Sequence, residues 1–385
     1  MASASINLQE QSSAASLDQL LAELPARRAE ISAAGRLPSD LVEKLRDAGI
    51  YRAMVAKRFG GDELAPAQFL EMIEKISSVD ASTGWVASFG FSATYLSALP
   101  VATLETMYAD GPDVIFAGGI FPPQTATPVE GGLEVNGRWS WGSGSTGADL
   151  IGVGIKVDDG SETGGLPLIA VMPAGKVRIE ENWDVNGLKG TGSHDMVVNG
   201  VVVPREWTFI RGGKSSLTEP LYRYPSMALA AQVLAVVALG AGRGMIDHLR
   251  DIAAVRGSIT GAPALAKRSH VQGTLGKAEA ALRSARAYFY EASEAAYGKL
   301  LRGDELERQD IVDMRLSASH AARVGADVCL DIYRVTGTTG IFTSHPFGQH
   351  LQDAMVVPQH AFLSEGTFES AGQAMLGMPC APGYP

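Results

Sequence analysis

The chain has 385 residues, of which 46% are hydrophobic and 19% charged, and its formal net charge is −10. This length allows a large buried core, and an acidic chain without any cluster of lysine and arginine excludes a typical nucleic-acid groove. The two cysteines, Cys329 and Cys380, lie far apart and form no CxxC pair. The sequence therefore predicts neither a disulfide framework nor a zinc site.

The beginning of the chain is polar. Residues 1–16 are rich in serine and alanine and lack the basic and apolar segments of a signal peptide, so we expect a disordered lead. The longest apolar run, residues 227–241, contains Gln232 and is shorter than the ~20 residues that cross a membrane. We expect a cytoplasmic protein that does not bind membranes.

Three regions follow the lead. Residues 17–112 carry leucines at helical spacing and a helix start at Pro66, which predicts an N-terminal helical domain. In residues 113–210, Asn136-Gly137 and Asn199-Gly200 each separate two β-branched runs, which is typical of hairpins and predicts a central β-barrel. Residues 220–385 are again helical and predict a C-terminal helical bundle. The order helices, strands, helices favours an α+β fold over alternating βαβ units.

Two apparent motifs predict no site. Gly240, Gly242 and Gly244 lack the preceding strand that a dinucleotide-binding turn requires, so they favour close packing of helices. The second group, His345, His350, Asp353 and His360, has no spacing typical of metal ligands, and we predict no metal.

The segment GRWSWGSGSTGA (137–148) is more informative. Trp139, Trp141, Ser143 and Ser145 share the parity of one strand face and are followed by small residues. Such a surface suits a flat heteroaromatic ligand, which needs an apolar face and a few hydrogen bonds at its polar edge. A strand that ends in a flexible loop would show the same pattern.

Five segments together resemble the acyl-CoA dehydrogenase superfamily, over about residues 17–378. They are residues 37–61, 77–88, 139–149, 187–204 and 256–291. The motifs DxSxGW, WxxxSG and GxxGTGS, in this order, are most similar to the two-component flavin monooxygenases of aromatic compounds. That branch includes steroid-phenol, hydroxyphenylacetate, dibenzothiophene and indole oxygenases.

The resemblance implies an acyl-CoA dehydrogenase-like fold, with a four-helix bundle at the C-terminus that forms a homotetramer. It implies that a separate NAD(P)H-flavin reductase supplies reduced flavin, FADH2 or FMNH2. With O2, this flavin would give a C4a-(hydro)peroxyflavin that oxidises a small aromatic substrate. The residues that the resemblance assigns to the flavin are Trp85, Trp141, Gly142, Ser143, Gly190, Thr191, Ser193, Arg256, Thr336, Gly337 and Gly340. Arg256 has the alternative of a surface arginine at a helix end.

The resemblance also implies catalytic residues. His360 matches a histidine near the reactive edge of the flavin, where an imidazole that titrates near neutral pH can stabilise the oxygen adduct or move a proton. Ser143 or Ser145 would hydrogen-bond flavin N5. A hydrogen-bonded structural histidine is the alternative for His360.

The substrate side departs from relatives that act on phenols. They carry a histidine in the helix after the Gly-Trp pair, where this chain has Ser92 and Ala93. A substrate that is electron-rich without deprotonation, such as indole, needs no such base. We expect an apolar wall, and its candidate residues are Phe89, Ser92, Tyr95 and Phe121.

Two other functions stay open. Glu365 in the sequence Glu-Gly-Thr resembles the base of acyl-CoA dehydrogenases, which would make the protein an FAD-dependent dehydrogenase. A superfamily member that has lost flavin and serves as a scaffold is the third reading.

Overall fold

The computed structural model describes residues 2–157, 165–253, 263–380 and 383–384. The helices are α1 (Ala2–Ala34), α2 (Ser39–Asp47), α3 (Pro66–Val79), α4 (Ala81–Ser88), α5 (Ser92–Leu96), α6 (Val101–Met107), α7 (Pro220–Arg223), α8 (Ser226–Ala253), α9 (Ser269–Leu301), α10 (Arg308–Val335), α11 (Phe347–Val356) and α12 (Glu365–Met375). The strands are β1 (Phe116–Val129), β2 (Gly132–Gly142), β3 (Leu150–Val157), β4 (Leu168–Pro173), β5 (Arg178–Glu180), β6 (His194–Val203) and β7 (Thr208–Ile210). Helical regions on both sides of a central sheet confirm the predicted α+β class.

The start of the chain differs from the prediction. Residues 1–16 were expected to form a disordered lead, but α1 begins at Ala2. Serine and alanine tolerate a helix that the buried Leu17, Leu20 and Leu24 anchor downstream. Ser13 adds a tertiary contact, because its Oγ accepts a hydrogen bond of 2.6 Å from Arg52.

The seven strands form one sheet in the order β5-β6-β2-β1-β3-β4-β7. Strand β1 pairs with β2 in antiparallel and with β3 in parallel orientation. The register of the β1–β3 pairing shifts between Gly119 and Gln124. Buried residues from both halves of the sheet, among them Trp139, Val153 and Met196, pack in one cluster. The sheet therefore curves around a core of its own.

The two Asn-Gly pairs do not form hairpins. Both lie inside strands, β2 and β6, which pair with each other antiparallel, and the register shifts there between Val135 and Gly137. The side chain of Asn136 accepts a 2.6 Å hydrogen bond from the N–H of Gly200, so the pairs face each other at a bulge. The actual β1–β2 turn is at residues 130–131.

The C-terminal helices enclose α8. This helix is long and apolar enough to cross a membrane, but 94% of its most apolar window is buried inside the protein, as in the core helix of a soluble domain. Gly240 and Gly244 allow the backbone of α3 to approach, because a side chain at either position would overlap it. The predicted close packing of helices is confirmed.

Candidate active site

A chain of hydrogen bonds links α4 to the loops after β2 and β5. The Trp85 indole N–H donates to Ser143 Oγ at 3.2 Å, and the oxygens of Ser143 and Ser193 are 2.7 Å apart. Thr191 Oγ1 lies 2.7 Å from Ser193 Oγ and donates to the Leu188 carbonyl at 2.8 Å. Because each hydroxyl has one proton, Ser193 donates to Thr191 and Ser143 donates to Ser193. Ser143 therefore has a lone pair left, but no proton, for a ligand.

Ser145 differs from Ser143 in this respect. It begins the short 3-10 turn Ser145–Gly147 and is buried, and its hydroxyl has no hydrogen-bond partner within the described part of the chain. A buried hydroxyl without a partner is costly, so it marks a position where a ligand atom can bind. The sequence treated Ser143 and Ser145 alike, but the structure gives them different hydrogen bonding: Ser143 is part of the network, and Ser145 is not.

Trp139 and Trp141 do not share a face, contrary to the parity prediction. Trp139 is fully buried in the sheet core, whereas Trp141 is 65% exposed. The register between β2 and β6 shifts after Trp139, and Trp141 adopts a φ of 64°. This left-handed conformation is strained for an aromatic residue, and such strain is concentrated at functional sites. The shift leaves the indole of Trp141 free to stack on a planar group.

His360 lies beside this network. Its ring is 6.0 Å from that of Trp85, between centroids, and 5.4 Å from that of Phe362. Its Nδ1 accepts the N–H of Phe362 at 3.2 Å, so in the neutral imidazole the proton is on Nε2. His360 is thus a hydrogen-bond donor at Nε2.

The charge state of His360 differs from the near-neutral titration that the sequence suggested. Burial, and then the positive charge of Arg211, lower its pKa from 6.5 to about 4. The imidazole is therefore neutral at physiological pH.

The expected substrate wall is brought together only in part. Phe121 and Tyr95 lie around Arg211, whose guanidinium is 5.2 Å from the Phe121 ring centre. Ser92 is buried and donates its hydroxyl proton to the Phe89 carbonyl, so it has none to offer a ligand. Sequence reasoning missed Arg211 and also Arg315, because an isolated arginine carries no motif.

The loop that carries Thr191 and Ser193 is held by α11. Asp353 Oδ1 accepts the N–H of Leu188 at 2.6 Å, and Leu188 has a left-handed φ of 53°. Burial raises the pKa of Asp353 to about 7. Gly190 packs against Ile31 and Ser82, where a side chain would not fit, and Gly142 packs similarly against Met196. These two glycines shape the loops around the hydroxyl chain, which is formed by Ser143, Ser193 and Thr191.

Other predicted cofactor residues form no hydrogen bond with this network in the described part of the chain. Thr336, Gly337 and Gly340 lie at the C-terminal end of α10, roughly 30 Å along the helix from Arg315. The Thr336 hydroxyl donates to the carbonyl of Tyr333 in its own helix. Arg256 lies outside the described residues.

The surroundings of Glu365 do not suit the alternative dehydrogenase chemistry. The side chain of Glu365 is 72% exposed and forms an ion pair with Arg323 at 3.1 Å, far from the buried setting of a base that removes an α-proton. In the described residues no group of three or more His, Cys, Asp and Glu could hold a metal ion. His350 instead faces His248, with ring centroids 5.6 Å apart.

The residues present fit a flavin. The exposed indole of Trp141 offers an apolar face, the free lone pair of Ser143 an acceptor and the unpaired hydroxyl of Ser145 a donor. A planar ring with polar edges requires this combination.

Comparison with known proteins gives the same family. Models of the N-terminal and C-terminal domains of acyl-CoA dehydrogenase match residues 9–101 and 232–365. The chain is 50% identical to an indole-3-acetate monooxygenase of Pseudomonas putida, over 93% of this chain and 92% of that protein. It is 45% identical to an indole-3-acetate monooxygenase of Acinetobacter baumannii, over 97% of both chains.

More distant relatives extend the match. The oxygenase subunit HsaA, a flavin-dependent monooxygenase of Mycobacterium tuberculosis, is 32% identical over 56% of this chain and 57% of its own. The crystal structure of the 3-HSA hydroxylase from Rhodococcus sp. RHA1 superposes with a TM-score of 0.88, at 25% identity, over 96% of this chain and 98% of that one.

The chain therefore belongs to the acyl-CoA dehydrogenase family. Within it, the protein is the oxygenase component of a flavin-dependent monooxygenase and uses reduced flavin as its cofactor. A flavin reductase and an aromatic substrate are its partners.

Proposed function

We propose that the protein oxygenates an indole, with indole-3-acetate as the favoured substrate. Two relatives that match nearly the whole chain are indole-3-acetate monooxygenases. The helix after Trp85 has Ser92 and Ala93 where phenol oxygenases have a histidine, and the Ser92 hydroxyl donates to the Phe89 carbonyl. The electron-rich pyrrole ring of indole needs no such base, which agrees with this arrangement.

The observation that carries the proposal is a neutral imidazole beside a directed hydroxyl chain. Reduced flavin supplies two electrons to O2, so that one oxygen atom enters the substrate and the other leaves as water. His360 would donate its Nε2 proton in a hydrogen bond to oxygen at this site without losing it. Because the imidazole holds no extra proton, it does not promote loss of the oxygen as hydrogen peroxide.

The other residues position the cofactor in this proposal. Ser143 would accept a hydrogen bond from the polar edge of the reduced ring, and Ser145 would donate one. Trp141 would stack on the ring. Trp85 would exclude water from the buried side, since it lies between His360 and Ser143.

We further propose a cytoplasmic homotetramer in which the remote cofactor residues serve a neighbouring subunit. Ile341 and Phe342 directly follow the Thr336–Gly340 segment and are 66% and 58% exposed. Large apolar side chains at this exposure favour burial against another subunit. That segment and Arg256 would then hold the distal part of a neighbour's flavin. Light scattering should give the mass of a tetramer, and Phe342→Glu should lower it; a monomeric wild type would contradict the assembly.

The activity is tested by turnover with reduced FMN or FAD from an added reductase. We expect oxygenation of indole-3-acetate and indole, much slower turnover of simple phenols, and no reduction of bound oxidised flavin by acyl-CoA. Phenol turnover far above that of both indoles would contradict the proposed substrate.

A further inference from the structure

Two arginines beside the active site are buried without an acidic partner. Arg211 follows β7 and is 9% exposed, and Arg315 on α10 is 5% exposed. Neither forms an ion pair with any acidic residue that the structure describes. Arg52 provides the contrast, since it is buried to the same degree and pairs with both Asp62 and Asp113.

Aromatic rings surround the two guanidinium groups. Arg211 lies over Phe121 and Phe362, with its Cζ 5.2 Å and 4.8 Å from the ring centres. Arg315 lies over the same Phe362 at 5.2 Å and over Tyr384 at 4.9 Å. Cation–π contacts of this kind recover only part of what removing a guanidinium from water costs.

The polar contacts of the pair are also incomplete. Arg315 donates to the Gly383 carbonyl at 3.4 Å, but the Nε atoms of both arginines are buried and lack a partner within the described ranges. Burial lowers the pKa of Arg315, and the charge of Arg211 acts in the same direction. Two like charges that share one aromatic ring favour the binding of an anion between or beside them.

We propose that Arg211 and Arg315 form a carboxylate-binding subsite that anchors the acid group of the aromatic substrate, an inference that rests on the proposed function. The guanidinium fork matches a carboxylate in two parallel hydrogen bonds. Phe121 and Phe362 supply apolar faces for the ring of an aryl acid, and Tyr95 lies beside Arg211. Because Phe362 also contacts His360, an acid held here has its ring close to the proposed oxygen site.

The first test uses the wild-type protein with oxidised flavin present. Calorimetry compares indole-3-acetate with indole-3-acetamide, which has the same shape without the charge. We expect the acid to bind about 30-fold more tightly or better, as for a desolvated charge pair. Equal affinities would overturn the subsite but leave the proposed function intact. Failure to bind indole, the acid or the amide would overturn both.

The second test uses Arg211→Met and Arg315→Met, with Arg323→Met on α10 as the matched control, because Arg323 already pairs with Glu365. We expect each buried-site variant to lose about 30-fold in affinity for the acid and to keep indole affinity within about threefold. Without ligand, melting temperatures should not fall, because an unpaired buried charge is removed; only wild type and control should be stabilised by the acid. The proposal would be overturned if the arginine variants lost equal affinity for the acid and for indole. It would also be overturned if their melting temperatures fell without ligand, or if they bound flavin more weakly while acid binding was unchanged.

Discussion

His360 has a fixed tautomer and a fixed charge, and two neighbours determine them. The Phe362 N–H occupies Nδ1, and burial together with Arg211 keeps the ring neutral. An imidazole in this state holds a proton at Nε2 and is a poor acid. We therefore assign it to hydrogen bonding at the oxygen site rather than to proton transfer.

The first prediction concerns His360→Ala. Product formed per reduced flavin should fall about fivefold, as expected for loss of a hydrogen bond worth ~1 kcal/mol, and hydrogen peroxide release should rise. Parallel assays of product and peroxide measure this coupling. His360→Gln, which keeps an N–H donor, should recover part of it. Unchanged yield and unchanged peroxide in the alanine variant would remove His360 from the account.

The same residue predicts a pH profile. The pKa of about 4 in the folded protein lies below the ordinary 6.5, so His360 stays neutral as pH rises from about 5 to 8. Coupling should therefore show no inflection from His360 in this range, and the wild-type and His360→Gln profiles should be parallel. An inflection near pH 6.5 that only the wild type shows would contradict the assignment.

Ser143 and Ser145 should respond differently to removal of the hydroxyl. Ser143→Ala leaves the Trp85 N–H without its acceptor and removes the hydrogen bond that Ser193 accepts, which should lower the free energy of unfolding by about 1–3 kcal/mol. Ser145→Ala breaks no hydrogen bond, so stability should stay within about 0.5 kcal/mol while peroxide release rises. Urea unfolding and peroxide assays test the pair. Equal destabilisation by both substitutions would contradict the directed chain.

At the scale of elements, the end of β2 places Trp141. Its φ of 64° is strained for tryptophan but easy for glycine. Trp141→Gly should therefore raise the free energy of unfolding by about 1 kcal/mol and weaken binding of reduced flavin. Trp141→Phe is the control, because it keeps both the strain and an aromatic face. A glycine variant that binds flavin as tightly as wild type would exclude stacking at this position.

Helix α11 fixes the loop with Thr191 and Ser193 through Asp353. The pKa of Asp353 is raised to about 7, above the ordinary 3.8. The contribution of Asp353 to stability is therefore present below about pH 4 and is lost as pH rises through 7. Asp353→Asn keeps the Oδ1 acceptor for Leu188 and cannot ionise. The variant should be more stable than wild type at about pH 8, and this advantage should shrink as pH falls and disappear below about pH 4. Urea unfolding at both pH values tests this role. A variant that is less stable than wild type at about pH 8 would contradict it.

The elements also show what sequence patterns could predict. Leucine spacing and Pro66 gave the N-terminal helices, because both are local signals. The Asn-Gly pairs misled, because the same positive φ that makes a hairpin also makes a bulge, and only the pairing of β2 with β6 decides between them. The parity of Trp139 and Trp141 failed at a register shift for the same reason.

At the scale of the whole molecule, the order of regions and several ordered motifs together predicted the fold, the family and the flavin. The sequence also named Trp85, Ser143, Thr191, Ser193 and His360, which the structure brings together. It did not name Arg211, Arg315 or Asp353 as parts of the site. Their roles depend on burial and on missing or long-range partners, which no local pattern encodes.

The central claim is that these residues hold a reduced flavin against an indole and deliver one atom of O2 to it. The most direct measurement is turnover of indole-3-acetate with reduced flavin under oxygen-18 gas, followed by mass spectrometry of the product. We predict one oxygen-18 atom in each product molecule and none when only the water is labelled. A product whose new oxygen atom comes from water alone would contradict the account. So would a substrate that stays unchanged while acyl-CoA reduces the bound oxidised flavin.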